Sequence, residues 1–173
     1  ASYLTSYIPT YGSAVTRNSD YAQKNSIANL FGSDEGAFLF EATLKGGGIP
    51  LFLESSDSSG YNHATYLQMG NTSVTLSIYR LGVPQWSVSA DGYSDNQLLK
   101  IGVAYKQNDI AFYVNGTQIG TNNSANTSAN LSGVTIGRYA AAGEVFQYKG
   151  DIPKFLLFPT RLSNEELATL TTI

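Results

Sequence analysis

Carboxylate, imidazole and thiol catalysis each demand particular residue types at particular spacings, and this 173-residue chain offers few of them. Glycoside hydrolysis needs two carboxyl groups at a set separation across the scissile bond. Glu41, Glu54, Asp57, Asp91, Asp95, Asp109, Glu144 and Asp151 are scattered, and no predicted strand carries two of them on one face. A pair drawn from two distant strands stays open, so an enzyme is not excluded. His63 is the single histidine, so a Ser-His-Asp triad would have to use it, and no nucleophile-elbow motif accompanies it. One histidine cannot build a His-rich metal site, and a chain without cysteine has neither thiol catalysis nor Cys-ligated zinc. His63 is expected to be a polar strand residue, facing solvent or hydrogen-bonded in place.

The residue types that do recur suit sugar recognition. Flat rings stack on the C–H faces of pyranoses, while amides, carboxylates and guanidinium groups bind hydroxyls in planar pairs. Tyrosine and tryptophan lose few side-chain torsions when they do this. Three groups of candidates stand out: Tyr61, Asn62 and His63 with Tyr66; Tyr79 and Arg80 with Trp86 and Tyr93; and Arg138 with Tyr139. Strand parity sorts some of them. Tyr79 points away from the Val74/Leu76/Ile78 face, and Tyr113 points away from Phe112. Trp86 alternates with Val88, against Gln85 and Ser87, and is expected to point inward; Tyr105 shares the apolar face of its strand. Tyr79 and Tyr93 are the expected ring platform. Outward tyrosines on a sheet can line a groove or serve only as strand formers.

The elements that must position these residues are strands. In "FYVNGTQIG" the pair Asn115-Gly116 suits a two-residue hairpin turn, which would set Val114 opposite Thr117, Tyr113 opposite Gln118 and Phe112 opposite Ile119. Further strands are predicted at Ala37–Leu44, Ile49–Ser55, His63–Met69, Ser73–Tyr79, Gln85–Ala90 and Leu98–Lys106, with "GVTIGRY" and "QYKGDIPKFLLF" supplying the last ones. About a dozen strands separated by turn signals make an all-β, antiparallel two-sheet sandwich or barrel. A long Asn/Ser/Thr loop covers residues 121–130. Helical signals gather only at the end. Ser163 and Glu166 form a capping box, flanked by Leu162 and Leu167, and predict a helix to about Thr169. The first 24 residues read as an irregular lead-in, with one edge strand expected at Ser13–Arg17, to a single domain spanning 1–173.

Composition agrees with that architecture. Hydrophobic residues make up 42% and charged ones only 13%, so the surface is polar but sparsely charged. A net charge of −3 gives no reason to expect nucleic acid or an anionic membrane as partner, and no apolar run is long enough for membrane insertion. The opening "ASYLTSYIPT" carries neither an initiator Met nor a signal peptide, and is read as the start of a piece of a larger chain.

Three segments, "KIGVAYKQNDIAFYVNGTQIG", "GVTIGRY" and "YKGDIPKFLLFPTRLSNEELATL", resemble the second half of a laminin-G-like, concanavalin-A-like jelly roll, over about Leu98 to Leu170. The opening "TSYIPTYGSAVTRNSDYA" is similar to segments that precede such domains in tail-associated phage proteins and bacterial surface proteins. The resemblance implies a β-sandwich jelly roll at an extracellular or virion surface. That fold hosts lectins, carbohydrate-binding modules, glycoside hydrolases and adhesion modules, so activity has to be argued from the site. In the glucanase branch the catalytic carboxylates alternate along one strand, and this chain has no such run. The resemblance also implies a structural Ca²⁺ at the position of Asp151, whose alternative reading is a turn residue after Gly150. Pro153 departs from the family pattern and requires the last strand to begin after it or bulge at it. The function implied is a non-catalytic carbohydrate-binding or adhesion module for a neutral glycan. The alternatives are a structural particle domain that binds no sugar and a small glycoside hydrolase.

Overall fold

The computed structural model describes residues 21–32, 35–55, 62–128, 130–141 and 144–173. The strand expected at Ser13–Arg17 and the candidate Tyr61 lie outside them. In chain order the strands are β1 (Ala22–Lys24), β2 (Glu35–Thr43), β3 (Gly48–Ser55), β4 (His63–Met69), β5 (Ser73–Arg80), β6 (Val83–Asp91) and β7 (Leu98–Lys106). Then come β8 (Asp109–Val114), β9 (Thr117–Asn122), β10 (Leu131–Ile136), β11 (Arg138–Ala141), β12 (Glu144–Gln147) and β13 (Lys154–Phe158), followed by helix α1 (Asn164–Thr171). The strands form a six-stranded sheet in the order β1-β10-β3-β4-β5-β6 and a five-stranded sheet in the order β13-β2-β7-β8-β9, with β11 and β12 as a separate two-stranded ribbon. Every pairing is antiparallel.

Period-two alternation explains the core. Phe38, Phe40 and Ala42 of β2, Leu51 and Leu53 of β3, Val74, Leu76 and Ile78 of β5, and Ile101, Val103 and Tyr105 of β7 all turn into one buried cluster between the sheets. The opposite face of the five-stranded sheet is covered by α1. Leu167 packs there on Ala37, Leu39, Ala104, Ala111 and Tyr113. Gly102 makes the close approach possible, since a Cβ there would stand 2.8 Å from Thr171 Cγ2. The outward Tyr113 is therefore sealed beneath a helix and lines no groove; its hydroxyl donates to Gln118 Oε1 at 2.6 Å. The helix starts where the capping box predicts. Glu166 N–H donates to Ser163 Oγ at 3.2 Å, and Ser163 N–H donates to Glu166 Oε2 at 2.7 Å.

The structure corrects two sequence-based registers. Asn115 (φ 51°) and Gly116 (φ 78°) do form the hairpin tip, but the β8–β9 register shifts after Tyr113↔Gln118, so Phe112 faces Gly120 and not Ile119. The bulge still leaves Ile119 packed on the core. A glycine is needed opposite Phe112 because the Trp86 ring stands there, 3.2 Å from where a Gly120 Cβ would be. "GVTIGRY" is two strands, not one. Gly137 (φ 90°) breaks it, and β11 leaves the six-stranded sheet to pair with β12. Pro153 has the predicted consequence, because β13 begins just after it at Lys154.

Candidate functional site

The expected platform around Tyr79 does not assemble. Adjacent strand residues point to opposite faces. Tyr79 lies on the outer face of the six-stranded sheet, whereas Arg80 pairs with His63 at the inner side, its guanidinium donating to the Thr127 carbonyl at 3.5 Å. His63 is buried there, 7% exposed, as a polar strand residue held in place. Trp86 turns inward as parity predicts, but only partly buried, packing on the core beside Val88 at the seam between β6 and β9. Tyr93 sits beyond the far end of β5, where its N–H donates to Thr72 O at 3.1 Å. Seven residues of strand, roughly 20 Å, separate that point from Tyr79. Tyr79 and Tyr93 therefore cannot share one sugar ring.

Tyr79 instead ends a row of rings on the outer face. Tyr79 stacks on Tyr66 at 6.0 Å, Tyr66 on Phe52 at 5.7 Å, Phe52 on Tyr139 at 3.9 Å and Tyr139 on Phe146 at 6.5 Å, each pair within 20° of parallel. Phe52 is 0% exposed and Tyr139 5%, which makes the row a second small core that pins the β11–β12 ribbon to the sheet. This corrects the expectation for Tyr139, whose ring anchors the ribbon and is closed to a ligand.

Its neighbour Arg138 points the other way. The guanidinium carbon lies 3.5 Å from the ring centroid of Tyr21, a cation–π contact. Tyr21 is 48% exposed and forms one wall of an open cleft of about 410 Å³ at the edge of the sandwich. Ala22, Ile136 and Gly137 continue that wall, and Tyr148, Gly150, Asp151 and Ile152 form the other. Backbone bonds hold the walls in place: Gly137 N–H to Pro50 O at 2.9 Å, Tyr148 N–H to Gly137 O at 2.9 Å, and Thr43 N–H to Asp151 O at 2.9 Å. The Tyr148 hydroxyl donates to the Thr43 carbonyl, and burial, with the Asp151 charge as a lesser cause, raises its pKa well above the usual phenol range. The cleft thus has an exposed ring on one wall and an exposed carboxylate on the other, with the Arg138 guanidinium against the ring. Its size suits a small ligand such as a sugar ring.

The structure places Asp151 in the cleft wall and Arg138 against the Tyr21 ring, although the sequence reading put the two in different groups. It also adds Tyr21 and Tyr148. Tyr148 stands three residues before Asp151 in the same motif and was within reach of a sequence argument. Tyr21 was not, because its importance depends on β1 pairing with β10, more than a hundred residues away.

Two other chemistries can be weighed on the same geometry. β2 begins at Glu35, so one strand does carry two carboxylates on one face, Glu35 and Glu41, contrary to the sequence expectation. They are six residues apart, about 20 Å. Each has a cation, Lys106 at 3.6 Å and Lys154 at 2.9 Å. That spacing is too wide for a glycosidase pair. For calcium, Asp151 is one carboxylate where the ion takes about six to eight oxygens. Among the described residues no three His, Cys, Asp or Glu side chains gather closely enough to hold a metal.

No protein-family model and no curated protein matches the sequence. Solved structures do match in shape. The Ruminococcus gnavus IT-sialidase CBM40 bound to α2,3 sialyllactose superposes with a TM-score of 0.70 at 13% identity, over 88% of this chain and 98% of that one. The leech intramolecular trans-sialidase complexed with 2,7-anhydro-Neu5Ac gives 0.67 at 12% identity, over 88% of this chain and 28% of that one. A heptameric SAP-like pentraxin from Limulus polyphemus gives 0.62 at 14%, over 81% and 70%. At such identities the likeness establishes the fold, a two-sheet jelly roll of the concanavalin-A-like kind.

Proposed function

We propose that this chain is a non-catalytic carbohydrate-binding module and that the cleft between β1 and residues 148–152 takes the sugar. The observation that carries this reading is the cleft itself, about 410 Å³, with Tyr21 on one wall, Asp151 on the other and the Arg138 guanidinium held on the Tyr21 ring. A ring supplies the stacking surface, and the two charged groups bind hydroxyls in planar pairs. Asp151 in the wall and Arg138 on the Tyr21 ring put one negative and one positive group at or beside the cleft, a balance that favours a neutral glycan. A parent protein at a viral or bacterial surface belongs to the same proposal.

A second reading is favoured by the solved structures, since the CBM40 structures are complexes with sialyllactose. On that reading Arg138 pairs a sugar carboxylate and Asp151 only borders the site. A glycan array holding neutral and sialylated oligosaccharides separates the two. Neutral ligands should dominate, and Tyr21→Ala and Arg138→Ala should each abolish binding while the protein stays folded. Sialylated ligands alone would move the conclusion to the second reading. No bound glycan at all would make this a structural domain. Calcium is tested apart from sugar: melting in excess chelator should be unchanged, and a lowered melting temperature would place the ion at Asp151.

A further inference from the structure

The cleft has a rim and an inner lining of different chemistry. The rim carries the exposed Tyr21 ring on one side and the exposed Asp151 carboxylate on the other. Ile136 and Ile152, one in each wall, are half-buried and pack against the central core, so the cleft opens onto an unsealed edge of that core. Ala22, the register partner of Ile136 across β1 and β10, adds a methyl group on the same side of the sheet. The polar groups beside these carbons are already engaged. The Tyr148 hydroxyl donates to the Thr43 carbonyl. The Gly137 N–H donates to Pro50 O, and the Gly137 carbonyl accepts from the Tyr148 N–H. The donors of Gly137 and Tyr148 are thus spent within the fold, and what the inner lining offers a ligand is chiefly aliphatic carbon.

A sugar hydroxyl pressed on that lining would give up water and gain no partner. A methyl group would gain by leaving water. A ring with one methyl-terminated substituent suits both layers, since its hydroxyls meet Asp151 and solvent at the rim while the methyl rests on the isoleucines. Two common substituents have this form. An N-acetyl group carries its methyl on an amide, and a 6-deoxy sugar carries it directly on the ring. A cleft of about 410 Å³ has room for one such ring with its substituent. An acidic sugar gains nothing from aliphatic carbon, and its carboxylate would meet Asp151 at the rim.

We propose that the cleft selects a neutral sugar bearing a methyl-terminated substituent, an N-acetyl or a 6-deoxy group, and seats that methyl on Ile136 and Ile152. This rests on the glycan-binding reading and names its substrate class. The test compares neutral glycans on the array whose terminal sugars differ only in the substituent: N-acetyl against hydroxyl, and 6-deoxy against hydroxymethyl. The best-bound matched pair is then titrated by calorimetry against wild type, Ile152→Thr and Ile152→Val. Wild type should bind the methyl-bearing member about tenfold tighter, the low end of what one such group is worth in an apolar pocket. Ile152→Thr puts a hydroxyl into the lining and should bring that ratio close to one. Ile152→Val removes one methyl group and should lower the ratio about twofold, which keeps the test decisive if the threonine variant does not fold. The pair that shows the preference identifies the substituent. Equal binding within both pairs by wild type would overturn the selection and leave the glycan reading standing. A preference that the folded variants keep in full would also overturn it, because the methyl would then lie elsewhere. Sialylated ligands alone on the array would overturn the neutral class. Absence of binding to any glycan would remove the glycan reading and this inference together.

Discussion

Single residues divide here by what a ring or a charge is left to do. Trp86 and Tyr139 were both ligand candidates, and both are spent on packing. Tyr139 is buried against Phe52, so Tyr139→Ala should cost about 3–4 kcal/mol, in the range for large aromatic truncations, and should loosen the β11–β12 ribbon. Trp86 is only partly buried against Val88 and Gly120, so Trp86→Ala should cost less, roughly 2 kcal/mol. Denaturant unfolding of the two variants checks the order, and a larger loss for Trp86 would reverse the assignment. Glu54 behaves oppositely. Its folded pKa is raised by burial, and its neighbours Asn25, Gly133 and Ala64 carry no charge. The folded state holds that proton more tightly than the unfolded chain. Stability is therefore full below the ordinary glutamate range and falls as pH rises through the raised value. Glu54→Gln should remove that fall and melt no lower than wild type at neutral pH.

Elements were more legible than the site, for a physical reason. β4 and β7 have the predicted boundaries because alternation and turn residues are local, and the capping box is written within four residues. The β8–β9 bulge was not legible, because it depends on Trp86 approaching from the other sheet and no property of the hairpin announces it. The same limit separated Tyr79 from Tyr93. Parity gives the face of a side chain, but only the strand order says which residues meet on it. α1 is a further case, since its cap is readable but its seat on Gly102 is not. Ser163→Ala removes the hydroxyl that accepts the Glu166 N–H and should cost about 1 kcal/mol. The Glu166 carboxyl is held below its usual range by the backbone and side chain of Ser163. Its contribution is present above the ordinary glutamate pKa and is lost as pH falls through the lowered value. The difference between Ser163→Ala and wild type should therefore narrow in acid. A gap that widened there would show the cap to be doing something else.

At the scale of the whole molecule, the sandwich offers few places to bind. One outer face is covered by α1 and part of the other by the β11–β12 ribbon. At Gly137 the chain leaves the six-stranded sheet for the ribbon, and residues 148–153 carry it from the ribbon to the five-stranded sheet; these crossings border the cleft beside β1. A site built on an edge strand and crossing segments can change without disturbing the core, which predicts how binding and stability separate. Tyr21 is exposed and Arg138 contacts it from outside the main core, so Arg138→Ala should melt within about 1–2 °C of wild type, as surface substitutions do. A ligand that binds only the folded state at about a hundred times its Kd stabilises by about 2.7 kcal/mol. For a domain of this size that is a melting shift of roughly 5–10 °C. Wild type with saturating glycan should show that shift, and Arg138→Ala should show none at the same concentration. If Arg138→Ala keeps the full shift, the sugar binds elsewhere, and the half-buried end of the ring row at Tyr79 is the next place to look.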